Sequence, residues 1–248
     1  MLSGHRGVGG LFAPEDTLSA YRAAIAFGIE FVETDPRPTA DGVIVNMHDT
    51  TVDRTTDGTG AVDQLTFAQI RALAVDAEGM PGDFSCERVP TLVEILQLCR
   101  GRAAVLVDAN KTARVDLLVA AIREADAVGY AIFDTSSIDK IEEALAIEPG
   151  LLVMNRPDSP AQAMAELDRL APRRPALVEV GAAERAATAA AVHARGLRTL
   201  NDVFIADVAA QVAGDFSVYQ QILDDGIDVM QTNRPDLALA ALRARGLR

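Results

Sequence analysis

Short apolar runs recur along this chain, and most are followed by a longer stretch whose apolar residues repeat with a helical period. The runs lie at 2–5, 29–35, 103–108, 130–134, 151–154, 176–180, 198–201 and 227–232. Several are apolar at consecutive positions, as in Val105-Leu106-Val107, which suits strands covered on both faces. Helical patterns cover 15–27, 91–100, 113–127, 137–147, 160–170, 182–195, 216–225 and 236–245. Their starts carry local signals: Thr91 with Glu94 and Thr66 with Gln69 have capping-box spacing, and Ser159 precedes Pro160. Gly28, Gly101, Gly129, Gly150, Gly196 and Gly226 stand before strands, where a left-handed residue ends a helix. Eight strands alternating with eight helices predict an α/β fold, a (β/α)8 TIM barrel, with residues 1–248 as one domain. An open doubly wound sheet competes with this reading, but the Gly-rich turn it often uses is missing.

One connection breaks the rhythm. Residues 36–90 separate the second strand from its helix, and this insertion is expected on the C-terminal face of the barrel, where active sites lie. Asp41-Gly42 signals a hairpin turn, so 43–47 is read as an extra returning strand. The polar run 53–60 then forms a loop, and the whole insertion is expected to act as a lid or side wall.

The candidate chemistry gathers at strand ends. Glu33 and Asp35 are two apart on a predicted strand, so both side chains point to one face. Carboxylates that close repel unless a cation joins them, and oxygen donors suit a hard ion such as Mg²⁺ or Ca²⁺. A solvated pair at a strand end is the plainer alternative. Asp108 ends the next barrel strand; strands run ~4.8 Å apart, so it is a third candidate ligand, with loop capping as its alternative. His5 follows the first strand among Gly4, Arg6 and Gly7, and His48 follows the strand at 43–47. One imidazole alone is usually structural, but two at the mouth of one barrel can divide proton uptake and delivery between them. Arg6 is a candidate phosphate clamp, since a guanidinium matches a phosphate edge. Arg54 and Lys111 sit on loops, where such charges often serve solubility, and His193 is read as a surface residue.

Charge narrows the partners. A net charge of −13 argues against broad binding to nucleic acid or anionic membrane, which needs a basic face. A small anionic substrate stays possible if a metal or arginine receives it locally. Cys86 and Cys99 form no CxxC pattern, and Cys99 falls on the apolar stripe of Leu92, Ile95 and Leu96. No apolar run approaches the ~20 residues of a membrane span. The histidine motif begins four residues after Met1, so a signal peptide is not expected and a cytoplasmic location is.

Taken in order, these residues resemble a known family. His5-Arg6-Gly7, then 13–18, Val32-Glu33-Thr34-Asp35, His48-Asp49 with 53–60, Val89-Pro90-Thr91-Leu92, Gly226-Ile227-Asp228 and 232–235 are similar to glycerophosphodiester phosphodiesterases. The resemblance implies a metal-dependent barrel that hydrolyses glycerophosphodiesters, a small-molecule substrate class, to glycerol 3-phosphate and an alcohol. It implies that His5 and His48 are the acid/base pair, that Glu33 and Asp35, joined by Asp108, hold the metal, and that Arg6 contacts phosphate. The family carries Glu-x-Lys where this chain has Asp108-Ala109-Asn110, and Lys111 points elsewhere if the strand continues. Asp16 replaces the family's Asn, Asn233 its Asp, and Arg198 stands where Trp is frequent. Two alternatives keep the same fold: lysophospholipase D-like activity, which needs an apolar groove, and phosphodiester binding without turnover.

Overall fold

The computed structural model describes residues 1–248. Eight parallel strands close into a barrel: β1 (Leu2–Gly4), β2 (Phe31–Thr34), β5 (Ala104–Asp108), β6 (Ala131–Thr135), β7 (Leu152–Asn155), β8 (Leu177–Glu179), β9 (Thr199–Asp202) and β10 (Val229–Thr232), with β10 pairing back onto β1. Each falls within or overlaps one of the predicted apolar runs. Helices lie between successive strands: α1 (Leu18–Ala26), α3 (Leu92–Cys99), α4 (Val115–Glu124), α5 (Ile138–Ile147), α6 (Pro160–Leu170) and α7 (Arg185–Ala194). Two more, α8 (Phe204–Ala213) and α9 (Ser217–Asp224), share the connection from β9 to β10, and α10 (Pro235–Ala244) closes the fold.

The helix starts form as their sequences dictate. Thr66 and Thr91 both make complete capping boxes, and Ser159 accepts from the Gln162 N–H ahead of Pro160 at the first turn. The predicted left-handed glycines are right at Gly28, Gly101, Gly196 and Gly226, but Gly129 and Gly150 have negative φ. After α4 the left-handed residue is Asp126, at φ 51°. Helix α8 is absent from the sequence prediction, and its composition explains why. Ile205, Val208 and Val212 are 76%, 60% and 80% exposed. An apolar outer face erases the polar–apolar contrast that makes a helical period visible.

The largest core lies between barrel and helices, from Leu2, Val32 and Val105 to Tyr21, Leu92, Leu118 and Tyr219. A separate plug fills the barrel: Leu106, Ile132, Met154, Leu177, Leu200 and Val229, all buried. Side chains alternate along a strand, so the residue two further on faces inward again. Those positions are Asp108, Asp134, Arg156, Glu179, Asp202 and Gln231, with Glu33 two beyond Phe31 on β2. On six of the eight strands the apolar floor thus gives way to a charged rim, while β10 presents the neutral Gln231. This rim is at the C-terminal ends of the strands, the face on which barrels carry their sites.

Between β2 and α3, β3 (Pro36–Pro38) pairs antiparallel with β4 (Ile44–Asn46). A 3₁₀ turn at Val62–Gln64 and the short helix α2 (Phe67–Ala72) follow. Val45, Met47, Val52, Val62, Ile70 and Val89 form a small core of their own here. No helix of the protein is long and apolar enough to cross a membrane.

Candidate active site

The β1–α1 loop carries His5 and Arg6 into the rim through a tight reversal. Arg6 has φ 51° and Gly7 φ 86°, a pair of left-handed residues. A Cβ on Gly7 would lie 2.7 Å from Ala20, and one on Gly4 would lie 2.0 Å from the Gly7 oxygen. The loop therefore packs directly on α1 and leaves room for no other residue at either point. The Arg6 N–H donates to Glu33 Oε2 at 3.0 Å, which ties this loop to the end of β2.

Glu33, Asp35 and Asp108 converge. One carboxylate oxygen of each lies within 4.8 Å of the others, and the residues are 3%, 1% and 6% exposed. Register explains the meeting: Glu33 sits opposite Leu106, so Asp108 reaches past the end of β2. Burial holds the Glu33 carboxyl well above its ordinary range, and the charges of Asp35 and Asp16 push the same way. Asp35 Oδ2 is buried without a hydrogen-bond partner. Three buried oxygen donors that repel one another, one of them unsatisfied, are what a hard cation relieves.

Cations ring this cluster. Arg6 Nε is 3.3 Å from Asp35 Oδ2, and Arg6 Nη1 is 3.0 Å from Glu15 Oε1. Lys111 Nζ lies 3.0 Å from Asp35 Oδ1 and 4.0 Å from Asp108 Oδ2. Lys111 would point elsewhere only if the strand continued, and it does not. The strand ends at Asp108, whose Oδ1 accepts from the Asn110 N–H at 2.8 Å and starts a 3₁₀ turn over Ala109–Lys111. The turn swings residue 111 back over the cluster, while Asn110 is drawn off to accept from Thr135 and Ser136.

Both predicted imidazoles are at this rim. His5 Nδ1 donates to Asn233 Oδ1 at 2.7 Å, its Nε2 is 4.0 Å from Glu33 Oε2, and its ring packs 4.7 Å from that of Phe204. Burial pushes His5 down to about 4, against the hydrogen bond it donates to Asn233, so the ring is neutral at neutral pH. His48 follows β4 and is half-exposed; its Nδ1 donates to Asp49 Oδ1 at 2.7 Å. Arg54 links Asp49, at 2.7 Å, to Glu15, also at 2.7 Å, and so joins the two imidazole-bearing loops. His193 is exposed on α7 and pairs with Asp228 at 2.9 Å, away from the rim as expected.

The far half of the rim was not foreseen. Arg156, just past β7, makes a two-pronged pair with Asp134 and lies 3.0 Å from Glu179 and 3.8 Å from Asp108. Burial raises Asp134 to about 6 and Glu179 to about 8 despite this guanidinium. The counting rule would have found all three, since each lies two residues beyond a floor residue of its strand. Asp16, where the family has Asn, has φ 60°, a conformation both residue types tolerate, and accepts from Asn46 at 2.7 Å and Tyr21 at 3.1 Å.

Fold and site together define a closed parallel barrel whose mouth combines three carboxylates, two imidazoles and a ring of fixed cations. The chain belongs to the glycerophosphoryl diester phosphodiesterase family, which matches residues 5–237. It is 52% identical over 96 residues to glycerophosphodiester phosphodiesterase 1 of Bos taurus, a stretch covering 38% of this chain and 29% of that protein. The chain therefore aligns with less than a third of that mammalian relative's length. A glycerophosphodiester phosphodiesterase structure from Agrobacterium tumefaciens superposes with a TM-score of 0.77 at 28% identity, covering 96% of this chain and 98% of that one. A glycerophosphoryl diester phosphodiesterase from Parabacteroides distasonis shares the fold at a TM-score of 0.86 and 23% identity, covering 99% and 86% of the two chains.

Proposed function

We propose that this protein is a metal-dependent phosphodiester hydrolase that converts glycerophosphodiesters to glycerol 3-phosphate and an alcohol. The observation that carries the reading is the meeting of Glu33, Asp35 and Asp108 within 4.8 Å, beneath Arg6 and Lys111. The names of the family and of its relatives point to the same substrate class. Glu33, Asp35 and Asp108 would hold Mg²⁺ or Ca²⁺, and the unsatisfied Asp35 Oδ2 fits such an ion. When bound, a dication supplies charge compensation for the phosphoryl oxygens.

The side chains then divide the work. Arg6 and Lys111 hold the non-bridging phosphate oxygens by charge-assisted hydrogen bonds. His5 is the base: its Nδ1–H is fixed by Asn233, burial keeps it neutral, and Nε2 is left to take a proton from the attacking oxygen. That oxygen belongs to water, or to the glycerol 2-hydroxyl, in which case the cyclic phosphate formed as the alcohol leaves is opened by water in a second step to give glycerol 3-phosphate. His48 is the acid, its Nδ1–H held by Asp49 so that Nε2 delivers a proton to the leaving alcohol as the P–O bond breaks. Replacing His48 by Ala should lower kcat/KM on glycerophosphodiesters by roughly 10²–10⁴-fold. Turnover near that of the parent protein would defeat the assignment.

A further inference from the structure

Helix α8 meets the mouth through two side chains three residues apart. Phe204 packs its ring 4.7 Å from that of His5, and Asp207 is buried at 3% exposure against the turn that follows β10. The Asp207 carboxylate holds that turn. Its Oδ2 accepts from the Asn233 N–H at 2.7 Å, and its Oδ1 accepts from the Thr232 hydroxyl at 2.6 Å and from the Tyr219 hydroxyl of α9. We infer that Asp207 is a positioning residue for His5: by holding Asn233 it fixes which imidazole nitrogen carries the proton. This inference rests on the glycerophosphodiester reading above, in which His5 is the base.

Register is the first argument. Thr232 is the last residue of β10 paired with β1, opposite Gly4, so Asn233 lies beyond the ladder. Past that point the backbone is folded around Asp207: the Thr232 hydroxyl donates to the carboxylate while accepting from the Arg234 N–H at 2.8 Å. A Cβ on Gly9 would lie 2.7 Å from the Asn233 Cα, so the β1–α1 loop packs flush against the same turn. With its backbone held from both sides, Asn233 presents Oδ1 to His5 Nδ1 at 2.7 Å. An oxygen acceptor there keeps the proton on Nδ1 and leaves Nε2 bare, the form a base needs.

Burial of charge is the second. A carboxylate this deep is less favourable than an apolar residue of its size unless its bonds do what packing cannot. Asp207 makes no ion pair. Its partners are two hydroxyls and a backbone N–H, and Arg234, the cation that feels its charge, is paired with Asp236 at 2.7 Å. What these bonds do is set the conformation of residues 232–234 beside His5. Phe204, on the same helix, restricts the tilt of the imidazole, so α8 controls both the ring and the partner of its Nδ1.

The chain has three histidines, so NMR of the ring nitrogens in the metal-free protein follows each imidazole separately. In the parent protein His5 should be the Nδ1–H tautomer. Asp207→Leu and Asp207→Ala both take the acceptor from the Asn233 N–H, the first keeping the volume filled and the second leaving room for water. Each should turn His5 into a mixture of the two tautomers while His48 and His193 stay as they are. On glycerophosphocholine kcat should fall by roughly ten- to a hundredfold, the scale of losing an orienting partner, with KM little changed. Asp207→Asn, whose amide oxygen still accepts from the Asn233 N–H, should restore both tautomer and kcat. Tyr219→Phe removes a different donor from the same carboxylate; it should lower stability yet leave the His5 tautomer in place, which separates positioning from loss of structure. A parent His5 protonated at Nε2, a tautomer unaltered by removal of the Asp207 carboxylate, or one shifted equally by Tyr219→Phe would overturn the inference. A shifted tautomer with parental kcat would remove His5 from the role of base and leave the link from Asp207 to His5 standing.

Discussion

At the residue scale, the partner of each imidazole decides its role. His5 leans on a neutral amide, Asn233, where the family carries Asp, and burial holds the ring near 4. Asn233→Asp would put a carboxylate at that nitrogen and favour the charged ring, raising its pKa. A base works only when deprotonated, so activity climbs with pH through this pKa. The acid limb of kcat/KM against pH should therefore move upward by about 1–2 units in the variant, measured with ion and substrate held fixed. Lys111 offers a second check. Lys111→Met should raise KM and weaken glycerol 3-phosphate binding about tenfold or more, while dication binding should not weaken, because a positive charge beside Asp35 opposes the ion. The positions of His5, Arg6, Glu33, Asp35, His48 and Asp108 at the mouth were legible in the sequence because strand periodicity and strand ends place them. Lys111 was not, since a 3₁₀ turn capped by Asp108 redirects it, and nothing in Ala109-Asn110-Lys111 announces that turn. Arg156 and Glu179 were legible in principle, by stepping two residues past each floor residue.

At the element scale, alternation of apolar runs and capped helical patterns located all eight barrel strands, because parallel strands buried on both faces carry a continuous signal. It failed for α8, whose outer face is apolar. Local polar clasps then fix neighbouring elements. Asp228, from the Gly226-Ile227-Asp228 motif, accepts from the Thr199 N–H at 2.8 Å and the His193 ring at 2.9 Å, joining β10 to β9 and α7. Burial would raise this carboxyl, but the Thr199 and His193 bonds more than offset it, and the net shift is downward. The carboxylate thus adds stability above its unfolded value near 4, and that stability is lost as pH falls through the lower folded value. Asp228→Ala should cost about 1–2 kcal/mol at neutral pH, at the low end because the side chain is a third exposed and screened. The deficit should narrow on acidification, as urea titrations at several pH values would show.

At the scale of the whole molecule, charge is arranged against its own average. The chain is strongly acidic, yet Arg6, Lys111, Arg37 and Arg156 all gather at one end of the barrel around acids that repel each other. An apolar plug seals the barrel below, so the acids face one another and the mouth rather than bulk water. That arrangement is the setting in which a dication and a phosphodiester are each received by local charge in spite of the global field. The reading depends on one shared ion at Glu33, Asp35 and Asp108. Calorimetric titration of the chelator-stripped protein with Mg²⁺ and Ca²⁺ tests this most directly. The account predicts one bound dication per chain, with binding lost or weakened at least tenfold in each of Glu33→Gln, Asp35→Asn and Asp108→Asn. Binding unchanged in all three variants, or no binding by the parent protein, would contradict it.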